Sequence, residues 1–95
     1  MVIKHRLVGT KGMFYVEGDQ GFSAEMVYTK PSPDKMIIEH TDVSDELRGQ
    51  HVGLQLVKAA VEYAREHGIK IIPLCPFANS VFKKKPEFAD VLYSH

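Results

Sequence analysis

The chain carries one cysteine and no tryptophan, its charges cancel, and it nowhere runs apolar for long. Each shortage excludes something. A lone Cys75 forms no internal disulfide and supplies no cysteine metal cluster, which points to a reducing, cytoplasmic setting. With 12 Lys and Arg against 12 Asp and Glu the net charge is zero, so no global field draws the chain to nucleic acid or an anionic membrane. No apolar run reaches the ~20 residues of a membrane span, and residues 1–6 lack the apolar stretch of a signal peptide. His5, His51 and His67 show no ligand spacing among themselves, so no metal is expected. Repeats and low-complexity tracts are missing too. The 95 residues suit a single domain, 1–95, with one modest core.

What is present changes period along the chain. Residues 14–17 read as a strand, and Gly18-Asp19-Gln20-Gly21 is turn chemistry. Residues 22–30 alternate, with Phe22, Ala24, Met26 and Tyr28 on one face, so a second strand returns in a hairpin. Pro31-Ser32-Pro33-Asp34 ends it, because proline cannot continue a central ladder. Residues 35–43 form a third strand rich in β-branched side chains. Ser44-Asp45-Glu46 then makes a polar, cap-like turn.

From 53 to 67 the period is helical. Leu54, Val57, Val61 and Ala64 share a stripe, Lys58, Glu62, Arg65 and Glu66 lie opposite, and Gly68 suits a C-cap. Residues 69–75 read as a buried strand after the helix, and a β-loop-α-β unit favours pairing it in parallel with the third strand. Pro76 breaks it, 77–85 forms a short helix, and Pro86 opens one further turn. The fold class is α+β, an antiparallel meander feeding one crossover and a short C-terminal helix.

The segment Leu47-Arg48-Gly49-Gln50-His51-Val52-Gly53-Leu54 joins the third strand to the long helix. Its glycines permit a tight turn, and a helix N-terminus offers unpaired N–H donors and partial positive charge. An anionic phosphate binds in such a place. Read alone, the segment is better taken as a glycine turn that only connects strand to helix.

This order of elements with this loop resembles the GNAT superfamily, the acetyl-CoA-dependent N-acetyltransferases, whose signature is Arg/Gln-x-x-Gly-x-Gly/Ala. Arg48 and Gly53 match its ends, while His51 stands where the middle glycine belongs. Histidine tolerates unusual backbone angles better than most residues. His40-Thr41-Asp42-Val43, Pro73-Leu74-Cys75-Pro76-Phe77 and Pro86-Glu87-Phe88 are similar to a minimal, single-domain branch with a Leu-Cys-Pro-Phe element.

The resemblance implies acetyl-CoA as cosubstrate. Arg48, Gly49, Gln50, His51, Val52, Gly53 and Leu54 would receive its pyrophosphate, Val43 would offer main-chain groups to the pantetheine arm, and Asn79 would face it from the last helix. Catalytic candidates are Cys75, at the end of the crossover strand, and His40, whose ordinary pKa of about 6.5 suits proton transfer. Glu39 is the neighbouring alternative, although adjacent strand residues face opposite sides unless a bulge intervenes. The family's thiolate-protonating tyrosine would fall at Phe82-Lys83, where none stands, and Tyr93 lies too far along to take its place. Lys83-Lys84-Lys85, the basic run, reads as a solvated face or as a partner for the 3′-phosphate.

The expected activity is acetyl transfer to an amine, small or on a protein. The alternative is a module that binds acetyl-CoA as a sensor or interaction domain. So short a chain implies an open acceptor site or one completed by a second subunit, hence a monomer or homodimer.

Overall fold

In the computed structural model, which describes residues 2–18, 21–47 and 49–94, sheet order and chain order coincide. Strands β1 (Lys4–Val8), β2 (Lys11–Gly18), β3 (Gly21–Ser32) and β4 (Lys35–Val43) pair in turn, all antiparallel. A 3-10 turn at Asp45–Leu47 and helix α1 (Val52–His67) carry the chain over to β5 (Lys70–Pro73), which joins β4 in parallel. Helix α2 (Pro76–Lys84) and a 3-10 segment, Pro86–Val91, complete it. The α+β meander and crossover therefore stand as read from the sequence.

The differences have local causes. Strand β1 was not expected, since all of its residues are exposed and one of the two on its core side, His5 beside Leu7, is a histidine. His5 stacks on Phe14, with ring centroids 4.2 Å apart and planes 7° from parallel, doing the work of an apolar side chain. Strand β3 runs on through Pro31 because the register to β4 breaks between Thr29 and Ser32, where no ladder hydrogen bond is required of it.

Phe22 leaves the face shared by Ala24, Met26 and Tyr28. The β2 register places Ala24 opposite Val16 but Phe22 opposite Glu17, so Ser23 is an extra, bulged residue. Phe22 thereby turns outward, 51% exposed, and packs edge-on against Tyr15 at 5.1 Å. In α1 the buried positions are Val52, Gly53, Leu56, Val57, Ala60, Val61 and Ala64, so Leu56 belongs to the stripe and Leu54 lies at its border. Gly68 caps the helix in the left-handed region, its N–H donating to the Ala64 carbonyl.

One core holds the described residues together. Phe14, Met26, Tyr28, Met36 and Ile38 supply the sheet side, and α1 and α2 both pack onto that face. The opposite face, with Tyr15, Val27 and Ile37, carries no helix among the described residues. Arg65 anchors the last 3-10 segment to α1, donating to both Asp90 carboxylate oxygens at 2.8 Å and to the Glu87 carbonyl at 2.7 Å.

Tyr28 is fully buried at the centre of this arrangement, its hydroxyl 2.5 Å from His5 Nε2. Burial pushes the Tyr28 hydroxyl far above its ordinary pKa, with Tyr63 adding to the effect, so it stays neutral. Burial also lowers the pKa of His5, helped by nearby His67 and Lys30. A histidine whose folded pKa lies below its unfolded value binds its proton more readily in the unfolded chain. Stability is therefore expected to fall as pH drops below about 6.5 towards the folded value. Urea midpoints at about pH 7.5 and about pH 5 check this, and His5→Phe should shrink the difference between them. An unchanged difference in that variant would remove His5 as its source.

Candidate active site

The β4–β5 register runs from Lys35↔Lys70 to Ile38↔Pro73 and stops. The Leu74 and Cys75 amides both donate to the Ile38 carbonyl at 3.1 Å, and there the strands part. β4 continues to Val43 along β3 alone, so from Glu39 onward its other edge faces a gap instead of a partner strand. Against that gap lies a cleft of about 830 Å³, a size typical of small-molecule sites. Thr41, Asp42 and Val43 form its strand wall. Leu47, Gly49, His51 and the start of α1 (Val52, Gly53, Leu54) form the second, and Phe77, Ser80, Val81, Lys84 and Lys85 the third.

A second bulge decides which side chains reach this cleft. Val27 pairs with His40 but Tyr28 with Ile38, leaving Glu39 as the extra residue. Without it, His40 would follow Met36 and Ile38 towards the helices. With it, Thr41 and Val43 turn inward beside Met26 and Ala24, and His40 turns out to solvent. Glu39, also exposed, accepts hydrogen bonds from Lys11 Nζ at 2.7 Å and Thr29 Oγ1 at 3.0 Å. Those two bonds, Lys11 first, hold its carboxyl below the usual range and leave it a weaker base.

Part of the loop backbone is left-handed. Gly49 has φ 86°, and His51, the N-cap of α1, has φ 56° and ψ 34°. His51 thus adopts the left-handed conformation at the position where the resembling signature has glycine, and the amides of the first helical turn open onto the cleft. A side chain held there costs roughly 1–2 kcal/mol. His51→Gly is expected to stabilise the fold by about 0.5–1 kcal/mol and His51→Val to destabilise it. Chemical denaturation measures both, and a less stable glycine variant would contradict the strain.

Gly53 is fitted to its neighbour, since a Cβ there would lie 2.6 Å from Phe77 Cζ. The Phe77 ring lies over the start of α1 and forms part of the cleft wall. Cys75 is buried at the N-cap of α2, its Sγ 3.5 Å from Thr41 Oγ1. Burial alone would push this thiol up. The Ala78 amide, the Thr41 hydroxyl and the Phe77 amide outweigh it, and the net displacement is downward, towards the thiolate.

Of the residues proposed from sequence, Val43, Gly49, His51, Val52, Gly53 and Leu54 meet in the cleft, and Cys75 reaches it through Thr41. Arg48 lies outside the described residues. Gln50 is exposed, its carbonyl accepting from Gln55 Nε2 at 3.2 Å, and neither Gln50, Asn79 nor His40 lines the cleft. Sequence reasoning missed Thr41, which only the bulge brings inward. It also missed the stripe of Phe77, Ser80, Val81 and Lys84 on one side of α2, which helical spacing could have revealed.

The GCN5-related N-acetyl-transferase family profile matches residues 13–91, and the chain belongs to that family. A GCN5-like protein of Staphylococcus aureus, solved by NMR, is 38% identical with a TM-score of 0.75, over 97% of this chain and 89% of that one. The ribosomal-protein-alanine N-acetyltransferase of Brucella melitensis biovar Abortus 2308 shares the fold at 12% identity and a TM-score of 0.66, over 90% and 64% of the chains. AAC(6')-Iy in complex with the bisubstrate analog CoA-S-monomethyl-acetylneamine shares it at 13% and 0.55, over 92% and 65%. No curated protein matches the chain in sequence.

Proposed function

We propose that this protein binds acetyl-CoA along the free edge of β4 and transfers its acetyl group to an amine. The parting of β4 from β5 beside the left-handed loop carries the reading, because it sets unpaired strand edge and helix-terminal amides along one cleft. The amides of Gly49 and of His51 to Leu54 hold the pyrophosphate with the help of the α1 dipole. Main-chain groups at Val43 meet the pantetheine amides as a strand would. The family match and the CoA-analog complex of AAC(6')-Iy support this choice of ligand.

The thioester end then falls at Thr41 and Cys75. Acetyl-CoA supplies the activated acetyl group. The amine nitrogen attacks its carbonyl carbon, the carbon–sulfur bond breaks, and the departing thiolate takes up a proton as the amine loses one. Water at the open cleft takes the amine's proton, and His40, on the outer side of the β4 bulge, stands away from the reacting atoms. Asn79 and Gln50 take no part in this scheme. The same cleft also suits a module that binds acetyl-CoA without turnover, a reading favoured by the ion-paired Glu39 and by Phe82 at the place of the family's tyrosine.

Titration calorimetry with acetyl-CoA and CoA, followed by intact-mass spectrometry, tests the proposal. Saturable binding is the expected result, and its absence would end the proposal. Cys75→Ala is expected to retain binding and most transfer, since direct attack does not use the thiol. Complete loss of transfer together with an acetyl adduct on wild-type Cys75 would instead establish an acyl-enzyme. His40→Ala is expected to leave the pH–rate profile unaltered, since His40 faces away from the cleft; a flattened profile would return it to the mechanism.

A further inference from the structure

We infer that Lys84 and Lys85 form a second anion subsite in the cleft, which takes the 3′-phosphate of coenzyme A and selects CoA over dephospho-CoA. The inference rests on the reading of the cleft as an acetyl-CoA site and adds the part of the ligand that the glycine loop does not reach.

The argument is one of linear order. Cys75, beside Thr41, precedes α2 at one end. The Phe77 ring follows, packed over Gly53 where the loop amides lie. Lys84 comes two turns later on the same side of the helix, about 10 Å further along at 1.5 Å per residue. Coenzyme A has the same sequence of parts: a thioester at one end, a pyrophosphate between, and a phosphorylated ribose at the other. With the pyrophosphate at the loop and the thioester at Cys75, the ribose phosphate has the Lys84 end of the cleft left to it.

The charge pattern agrees. Lys84 and Lys85 both line the cleft, and neither side chain has an anionic partner among the described residues. Lys4 and Lys11, by contrast, are paired with Glu17 and Glu39. Asp42 is the one carboxylate among the described lining residues and is ion-paired with neither lysine, so the cleft wall keeps a net positive charge that favours an anion. Lys83, adjacent in the run, is exposed and does not line the cleft, because the helix turns it away. It is the built-in control.

Calorimetry with CoA and with dephospho-CoA tests this on wild type, on Lys84→Gln/Lys85→Gln and on Lys83→Gln. Wild type is expected to bind CoA about tenfold tighter than dephospho-CoA, with the preference fading at high salt. The double variant should lose that preference by weakening for CoA alone. Its undiminished affinity for dephospho-CoA shows that it is folded, as glutamine's helix propensity implies. Lys83→Gln should behave as wild type. Equal wild-type affinity for the two nucleotides, a preference that survives in the double variant, or an equal loss for both would each overturn the subsite. Failure of wild type to bind either one would overturn the cleft reading beneath it.

Discussion

Gly12→Ala is expected to cost about 3 kcal/mol of stability, the upper part of the usual range for an overpacked core, in a domain with only some 5–15 kcal/mol to lose. Gly12 faces the core on β2, directly across from Tyr28 on β3. A Cβ there would lie 2.7 Å from Tyr28 Cε2 and nearer still to Cζ and the hydroxyl oxygen. The ring has nowhere to retreat. It is fully buried, tilted against Phe14 with centroids 5.7 Å apart, and tied to His5 through its hydroxyl. The alanine must therefore separate two paired strands or dislodge the largest core side chain. Urea denaturation reads the loss as a lower midpoint. Combining the substitution with Tyr28→Leu, which vacates the space, should cost less than the sum of the single changes. A Gly12→Ala protein with a wild-type midpoint would refute this account of the packing.

Gly53→Val moves the other quantity, ligand affinity, and leaves the fold largely in place. Valine is a better helix former than glycine, so α1 does not suffer from the change itself. Its branched side chain would instead enter the space of the Phe77 ring, 2.6 Å from where a Cβ would stand. Phe77 is 41% exposed, so it can yield; the room into which it yields is the cleft. An overpacking penalty of about 1–3 kcal/mol, borne by the ligand-bound state, corresponds to roughly tenfold to hundredfold weaker CoA binding. Titration calorimetry gives the affinity and thermal melting shows that the fold survives. Unchanged affinity would mean that the Phe77 ring does not bound the ligand site.

Much of this was legible in the sequence, because period and punctuation are local properties. The strand read over 35–43 from its β-branched residues ends at Val43, Gly68 stops α1, and the crossover puts β5 parallel to β4. The bulges were not legible. Ser23 and Glu39 carry no local mark, since a bulge is set by register with a neighbouring strand. Each one inverts the facing of everything beyond it, which is why Phe22 left the core face and His40 left the cleft while Thr41 entered it. Strand β1 escaped because Lys4, His5 and Arg6 show no apolar alternation, whereas His5 owes its place to stacking on Phe14. The loop lay between these cases. Its glycines announced a turn, but only the structure shows that His51 accepts the left-handed conformation expected of glycine.

Sheet order equal to chain order also bears on how the protein acquires its shape. Each of the first four strands finds its partner across a short turn, so most pairings close small loops and cost little chain entropy. Longer closures bring β5 across the span of α1 to β4 and Leu92 back to Ile71. The meander can assemble by successive hairpins, whereas the docking of β5 waits for the helix between them to form and pack. The parting of strands that bounds the cleft exists only after that last docking. Binding competence is thus the final property to appear on refolding, and the first to go when the β5 edge opens.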